Sequence, residues 1–364
     1  MKVKDIISVI EDLAPPVLQE SYDNAGLLTG SMETEVTGVL ITLDVTDEVL
    51  DEAIEKGMNL IVAHHPVIFK GLKNLRPEGM VERMVVKAVK NDLALYAVHT
   101  NLDNVYSGVN AKLGEVLELK NLRILSAGGA RLKKIVVFCP EEHASKVRQA
   151  MFDAGAGFIG NYDSCSYNTL GEGTFKAREG ANPYVGSVGK IHFEREVRIE
   201  TVVPSHRLNR VISSMLSAHP YEEVAYDIYP LDNMYQGTGA GMIGELDEET
   251  GLIDYLKKVK SKLKAGVLRY NNVVERKIKK VAFCGGSGAF LIHDAYRAGA
   301  DVFITADVKY HDFFEHSDEM TIVDAGHYET EQFTKALLYE LLKENFPNFA
   351  LQISETTTNP VLYL

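Results

Sequence analysis

Two regions of this chain, one near each end, alternate short apolar runs with segments whose apolar residues recur at helical spacing. This pattern constrains the fold more than any other feature of the sequence. Strands that alternate with helices predict a parallel or mostly parallel sheet. In the N-terminal region, the predicted strands cover residues 38–44, 59–66 and 93–100, and the predicted helices cover residues 46–57 and 78–91.

The C-terminal region repeats this plan, and its segment 299–307 matches residues 57–65 in the order of apolar positions. Two interpretations stay open. Either the regions are two related halves that face each other, with their strand ends at one cleft, or they share only the general look of strand–helix–strand units. The predicted elements here are strands at 278–284, 300–307 and 321–326, and a helix at 288–299.

A block with a different pattern lies between the two regions. A strand followed by an amphipathic helix at 133–156 recurs at 197–220, and residues 158–177 hold two strand-rich stretches between these two segments. A final strand is predicted at 222–231. The order βαββαβ is that of ferredoxin-like domains.

The predicted fold class is therefore α/β with an insertion. We predict one split α/β domain over residues 1–126 and 235–364; on the first interpretation it consists of two related α/β halves that share a cleft, the place for the metal ligands considered below. An inserted ferredoxin-like α+β domain covers residues 131–231. A chain of 364 residues is long enough to bury a separate core in each.

Composition narrows the class of partner and the compartment. With 38 basic and 51 acidic residues, the net charge is −13, which argues against nucleic acid or an anionic membrane as the main partner. The three cysteines form no C-x-x-C pair, so we expect a reducing, cytoplasmic location. No apolar run approaches the ~20 residues that a membrane-spanning helix needs.

Candidate metal ligands follow three of the predicted strands. His64 and His65 end one strand, and His99 with Asp103 follows the next. His327 and Glu331 follow the strand at 321–326, with the i,i+4 spacing that puts two side chains on one helix face. Ligands bind at the carboxyl ends of parallel strands. Taken alone, the His64-His65 pair has a structural alternative, with one ring in the core and one at the surface.

Imidazole and carboxylate groups in this number are enough to bind one or two divalent ions. Their mixture suits zinc, manganese, iron or nickel and excludes none of them. The residues alone leave open one ion or two; the family resemblance described below implies two divalent ions per subunit, with zinc as the first choice.

Two glycine clusters allow more than one interpretation. The segment 239–244 fits G-x-G-x-x-G, but it does not join a predicted strand to a helix, so we expect a flexible loop at the cleft mouth rather than a dinucleotide site. A second cluster joins a strand to a helix, where backbone N–H groups can hold a phosphate. The alternative is a tight turn that needs glycine only for its backbone angles. The residues of this second cluster are Gly285, Gly286, Ser287 and Gly288.

Several motifs together resemble the NIF-three-like family, also named GTP cyclohydrolase I type 2. The resemblance covers both outer segments, and the one departure noted is Tyr22, where many members have Trp. The motifs are YDNAGLLTG, VAHHP, VHTNLDN, CGGSG and GHYETE.

The resemblance implies a dinuclear metal centre in a cleft, subunits assembled into a homohexameric ring, and a PII- or CutA-like inserted domain. It implies His99 as a polar residue of the same pocket. The metal-binding residues that it implies are His64, His65, Asp103, His327 and Glu331.

Two functions fit these observations. The first is a metal-dependent hydrolase in which Glu331 or Asp103 bridges the ions and His99 donates or orients a proton. The family name implies ring opening of GTP, with the phosphates on residues 285–288. Its partner would be a small-molecule, nucleotide-like substrate. The second is a non-catalytic metal-binding or regulatory protein whose inserted domain senses a small molecule or gates the cleft.

Overall fold

The computed structural model describes residues 1–76, 78–271 and 276–364. These residues divide into two compact units. The outer unit consists of Met1–Gly128 and Gln236–Leu364, and the inserted unit is Gly129–Tyr235. The sequence predicts the inserted domain at residues 131–231 and the outer domain at residues 1–126 and 235–364.

Strands of both units are numbered together in chain order. They are β1 Gly26–Thr29, β2 Val39–Thr42, β3 Leu60–Ala63, β4 Ala94–Ala97, β5 Lys120–Ala127, β6 Arg131–Pro140, β7 Tyr167–Lys176, β8 Ile191–Pro204, β9 Tyr226–Met234, β10 Gly239–Gly251, β11 Arg269–Tyr270, β12 Lys277–Ser287, β13 Val302–Ala306, β14 Thr321–Asp324 and β15 Leu351–Ile353.

A polar side chain can cap the N-terminus of a helix. Thr46, for example, caps the second helix by accepting a hydrogen bond from Val49 N. The α-helices are α1 Val3–Leu13, α2 Asp47–Glu55, α3 Met80–Lys90, α4 Thr100–Asp103, α5 Val109–Val116, α6 Ala144–Asp153, α7 Leu208–Ala218, α8 Leu252–Leu263, α9 Ile292–Arg297, α10 His327–Glu331 and α11 Thr334–Asn345.

The first sheet of the outer unit has the order β1-β4-β3-β2-β15. Strands β15, β2, β3 and β4 are parallel, and β1 adds to β4 in the antiparallel direction. Its central strands are buried on both faces. Val39 and Ile41 pack into one apolar cluster and Leu40 into another, because successive residues of a strand point to opposite faces.

The second sheet of the outer unit has the order β11-β14-β13-β12-β10-β5 among the described residues. Its central strands β12, β13 and β14 are parallel, and β11 adds to β14 in the antiparallel direction. Strands β2, β3 and β4 of the first sheet therefore have counterparts in β12, β13 and β14. The prediction of two related α/β halves within one split domain is confirmed.

The glycine-rich segment 239–244 is not a loop, and that expectation was wrong. It begins β10, which pairs with β12 on one side and β5 on the other. Two of its glycines are needed for close packing. A Cβ on Gly241, where φ is +61°, would lie 2.7 Å from Leu291 Cδ1, and one on Gly244 would lie 2.7 Å from Leu122 Cδ2.

The inserted unit has the predicted βαββαβ order. All neighbouring strands of its sheet, in the order β7-β8-β6-β9, are antiparallel. Helices α6 and α7 cover one face of this sheet, where Ile135, Val137 and Ile199 meet Val147 and Met215. The two strand-rich stretches expected at 158–177 form one strand, β7, and the second middle strand is β8.

No helix among the described residues has the length and apolar character needed to cross a membrane.

Candidate metal centre

His64 and His65 both serve one site because the strand ends just before them. Strand β3 stops at Ala63, so the alternation of faces that holds within a strand no longer separates the two rings. Backbone hydrogen bonds from His64 N to Thr42 O and from His65 N to Leu43 O fix this turn against β2. The ring centroids of the two histidines lie 4.9 Å apart.

The next strand along the sheet contributes His99 and, one short helix later, Asp103. His99 follows β4 and precedes α4, and its ring centroid lies 5.3 Å from those of both His64 and His65. Asp103 Oδ1 lies 3.7 Å from His64 Nε2. Both side chains thus reach the same end of the first sheet as the histidine pair.

The second half contributes His327 and Glu331 from α10. This five-residue helix begins at His327, directly after Gly326 with φ of +93°. The i,i+4 spacing puts both side chains on one face, and His327 Nε2 lies 3.0 Å from Glu331 Oε2. Glu331 also lies 3.0 Å from His65 Nε2 through Oε2 and 3.8 Å from His64 Nε2 through Oε1.

All six predicted side chains therefore meet in one cluster. Within each of three groups, the candidate ligand atoms lie within 4.8 Å of one another. Glu331 belongs to two of the groups, so its two oxygens face two different sets of partners. The groups are His64 with His65 and His99, His65 with His327 and Glu331, and His64 with Asp103 and Glu331.

Unpartnered buried atoms show that this cluster fits a cation. His64 Nε2, Asp103 Oδ1 and Glu331 Oε2 are buried, and none makes a hydrogen bond of acceptable geometry within the described part of the chain. Buried polar atoms without a partner are costly and rare. Imidazole nitrogens and carboxylate oxygens are also the ligands that zinc and related divalent ions take. The cluster could therefore bind metal.

Each histidine of the cluster has its other ring nitrogen held by an acceptor of the outer unit. Such contacts orient metal-binding imidazoles and fix which nitrogen faces the metal. They leave the four Nε2 atoms for the cluster. The Nδ1 atoms of His64, His65, His99 and His327 contact, respectively, Val98 O at 2.8 Å, Asp44 Oδ1 at 2.7 Å, Asp23 Oδ1 at 2.8 Å and Asp307 Oδ2 at 2.6 Å.

Asp44 and Asp307 were missed by the sequence analysis, although a signal existed. Asp44 lies just beyond β2 and Asp307 just beyond β13, the strands next to those that carry the histidines in each half. The rule that singled out the ligands, a polar residue at a strand's carboxyl end, applies to both. Asp23 also holds the start of α4, because it accepts hydrogen bonds from Thr100 N and Thr100 Oγ1.

The histidines and carboxylates of the cluster shift one another's pKa values. Burial lowers the pKa of His65, but Asp44 and Glu331 outweigh it and raise that pKa to about 10. Burial also lowers the pKa of His327, and Glu331 with Asp307 raises it to about 9. Burial raises the pKa of Asp103 to about 6. Burial also acts to raise the pKa of Glu331, but the three histidines around it hold that pKa well below its usual value. A bound cation would take the place of protons on its ligands.

Three backbone amides of the second glycine cluster are already occupied, which favours the tight turn over a phosphate site. The N–H groups of Gly285, Gly286 and Gly288 donate to Asn110, Thr330 and Thr305 side chains. The hydroxyl of Ser287 donates to Asp307. The alternative interpretation, a turn that needs glycine for its backbone angles, describes this segment, because Gly286 has φ of +61°.

Gly286 also makes room for the cluster. A Cβ at this position would lie 2.1 Å from Glu331 Oε1 and 3.3 Å from His327 Cε1. Glycine is therefore required here so that the Glu331 carboxylate can approach the turn.

Two histidines that follow β13 do not join the cluster. The ring of His316 stacks on Tyr296 at a centroid distance of 3.8 Å, and His311 contacts the rings of Tyr310 and Phe314. Cys284 is buried, and burial raises the pKa of its thiol, which is typical of a packing residue rather than a nucleophile.

A cavity of about 480 Å³ adjoins the cluster. His65 and His327 line it on the side of the cluster. The rest of its wall includes Arg269, Tyr328 and the C-terminal residues Pro360, Val361 and Tyr363. A cavity of this size is in the range that small-molecule sites have.

A sequence model of the Duf34/NIF3 (NGG1p interacting factor 3) family matches residues 1–360. The chain is 41% identical over 366 residues to a Halalkalibacterium halodurans protein named GTP cyclohydrolase 1 type 2 homolog, covering 99% of this chain and 98% of that protein. A Bacillus subtilis protein of the same name is 40% identical over 368 residues, covering 99% and 98%. The crystal structure of a Bacillus cereus protein related to NIF3 matches with a TM-score of 0.89 and 41% identity, covering 100% of this chain and 99% of the other.

Proposed function

The chain belongs to the DUF34/NIF3 family, and from this membership and the geometry of the cluster we propose that it is a hydrolase that uses two divalent metal ions. The observation that carries the proposal is the position of Glu331, whose carboxylate is shared by two groups of candidate ligands. A carboxylate that faces two sets of imidazole and carboxylate partners is arranged to bridge two cations. His65 and His327 would supply the remaining protein ligands of one ion, and His64 and Asp103 would supply those of the other.

When bound, two cations in this cluster would polarise a substrate oxygen and lower the pKa of an attacking water toward about 7. The protein's own part is to hold the ligands in position and to exclude bulk water from them. Burial of His64, which is 0% exposed, and of Glu331, which is 3% exposed, serves this purpose. Zinc is the first choice, with manganese, iron or nickel as alternatives.

His99 would donate or accept a proton in the reaction rather than serve as a ligand of the two ions. Its Nδ1 atom is held by Asp23, so its Nε2 atom is the one left to face a substrate. A histidine oriented by a carboxylate is a common general acid and base. We expect His99→Asn to lower the rate of turnover while leaving the metal content unchanged.

The substrate class that we propose is a small molecule with a phosphoester or an activated carbon–nitrogen bond, as in a nucleotide. The names of the relatives point to GTP, and a cavity of about 480 Å³ beside His65 and His327 could take part of such a molecule. The occupied amides of residues 285–288 argue against phosphate binding at that turn.

The test joins metal analysis with a turnover assay. The purified chain would be loaded with zinc, manganese, iron or nickel and assayed with GTP and with bis(p-nitrophenyl) phosphate. We expect turnover with at least one metal, and we expect Glu331→Ala to lose both the bound metal and the turnover. Glu344→Ala is the matched control, because Glu344 is an exposed carboxylate on the surface of α11.

A second candidate function is metal binding without catalysis, with the inserted unit sensing a small molecule. The observation that favours it is the separate, fully formed core of that unit. Intact metal binding with no turnover for any metal and substrate pair would reject the hydrolase and leave this function. Failure of the wild-type chain to bind any of the metals would reject both.

A further inference from the structure

The last eleven residues, 354–364, follow β15, and a buried carboxylate holds them against the rest of the outer unit. Glu52 Oε2 accepts hydrogen bonds from Ser354 Oγ at 2.6 Å and Thr356 Oγ1 at 2.8 Å, and Glu52 Oε1 accepts one from Glu355 N at 2.9 Å. We call residues 354–364 the C-terminal segment. These bonds fix its start against helix α2.

Two residues after Thr356, the C-terminal segment contacts Asp44, which in turn contacts a histidine of the metal cluster. Thr358 Oγ1 donates a hydrogen bond to Asp44 Oδ2 at 2.6 Å. The other oxygen of the same carboxylate, Asp44 Oδ1, holds His65 Nδ1 at 2.7 Å. His65 Nε2 in turn lies 3.0 Å from Glu331 Oε2. Both oxygens of Asp44 are thus engaged, one by the C-terminal segment and one by a candidate ligand.

The far end of the C-terminal segment is held by the helix that carries the other ligands. Asn359 Nδ2 and Tyr363 OH both donate to Glu329 Oε1, at 3.2 Å and 3.4 Å. Glu329 lies in α10 between His327 and Glu331. The Tyr363 ring also packs so closely on the chain at 266 that a Cβ on Gly266 would lie 2.2 Å from Tyr363 Cδ2.

The C-terminal segment therefore joins the two halves of the outer unit at the cluster. It contacts Asp44 of the first half and Glu329 of the second, and it forms one wall of the cavity beside His65 and His327. A segment with only a packing role would not need to pair its polar side chains with carboxylates next to the ligands.

We propose that Thr358 is a positioning residue of the metal centre, acting through Asp44 on His65. This inference rests on the metal-binding part of the proposed function and is independent of whether the centre is catalytic. Asp44 is about one-third exposed, and loss of the hydrogen bond from Thr358 would remove one of the two side-chain contacts that hold its carboxylate. His65 would then lose the fixed partner that keeps its Nε2 atom directed at the cluster.

The experiment measures zinc affinity of the full chain by competition with a chromophoric chelator, on protein first stripped of metal. We expect Thr358→Val, which keeps the shape of the side chain but removes the donor, to weaken the affected site by about tenfold, the lower end of the effect of outer-shell partners. Thr358→Ser keeps the hydroxyl and should restore the affinity. Thr357→Val is the matched control, because Thr357 is its exposed neighbour.

Three outcomes would overturn the proposal. They are wild-type zinc affinity in Thr358→Val, an equal loss in Thr357→Val, and no recovery in Thr358→Ser. Thermal unfolding of the stripped variants checks that each is folded. If Thr358→Val does not fold, the comparison of Thr358→Ser with Asp44→Asn decides, since the first should keep zinc affinity and the second should lose it. Absence of turnover in the wild type would reject the hydrolase but leave this measurement unaffected.

Discussion

The two halves of the outer unit share one frame but supply different chemistry. Each contains three corresponding parallel strands, β2, β3 and β4 or β12, β13 and β14, with an antiparallel strand on the same edge, β1 on β4 and β11 on β14. The first half places three histidines at the ends of its strands. The second places Gly286 and Asp307 at two strand ends and supplies its two ligands from helix α10. A repeated fold thus fixes where strand ends lie, while individual residues decide what those ends do.

Because the two halves supply different metal ligands, substitutions can test how those ligands are shared between two ions. This test has the largest expected effect. If one ion is held by His64 and Asp103 and the other by His65 and His327, with Glu331 common to both, then His64→Gln and His327→Gln should each lose one of two bound ions. Glu331→Ala should lose both. Metal content per chain after gel filtration, measured by mass spectrometry, checks this. Equal loss in all three variants would reject the two-ion arrangement.

Gly286 gives a second test of the difference between the halves, because other residues occupy the corresponding strand ends of the first half. Gly286→Ala would place a Cβ 2.1 Å from Glu331 Oε1 at a position with φ of +61°. We expect zinc affinity to fall by about 10- to 100-fold, the range seen when support of metal ligands is disturbed. Gly71→Ala is the control, since nothing lies within 4 Å of a Cβ at Gly71. Unchanged affinity in Gly286→Ala would show that Glu331 does not need this room.

A smaller effect is expected at Glu52, which anchors the C-terminal segment to the first half. Burial raises the pKa of Glu52, but bonds from Lys56, Ser354 and other donors outweigh it and lower that pKa to about 2, from 4.5. The folded-state pKa is depressed, so this stabilisation is complete above about pH 4.5 and is lost as the pH falls toward about 2. We expect Glu52→Gln to destabilise the chain by about 1–3 kcal/mol at pH 7.

Urea unfolding at pH 7 and at pH 3 measures this difference. The gap in the free energy of unfolding between wild type and Glu52→Gln should narrow at pH 3. A gap that stays constant between the two pH values would show that the ionised form of Glu52 is not the source of the stabilisation.

The smallest effect is expected from removing the inserted unit. Strands β5 and β10 pair with Ala127 opposite Gly239, and Gly128 N donates to Thr238 O. The two chain ends are therefore hairpin neighbours, and an Asn-Gly turn could replace residues 129–237, which are the inserted unit together with Gln236 and Gly237 of the outer unit. The four apolar clusters of the outer unit contain no described residue of the inserted unit.

We expect the shortened chain to fold and to bind as much metal as the full chain. Circular dichroism and metal analysis measure this. A shortened chain that fails to fold would show that the outer unit depends on the inserted one, and that the division into an independent split domain is wrong.

Much of the fold could be read from the sequence because strand and helix patterns are local. Apolar runs of strand length gave β2, β3, β4, β12, β13 and β14, and the recurrence at 133–156 and 197–220 gave the ferredoxin-like order. The expectation failed at 239–244, where glycine suggested a loop. There the glycines serve close packing between β5, β10 and β12, which no local pattern records.

The sequence by itself determined the type and spacing of the candidate ligands, including the i,i+4 pair His327 and Glu331 and the adjacent pair His64 and His65. Only the tertiary structure decided which backbone amides are occupied, that Gly286 makes room for Glu331, and that Thr358 contacts Asp44, 314 residues earlier in the chain. The physical reason is that backbone propensity and side-chain period act over a few residues. Contacts between strand ends of two sheets exist only once both sheets have packed.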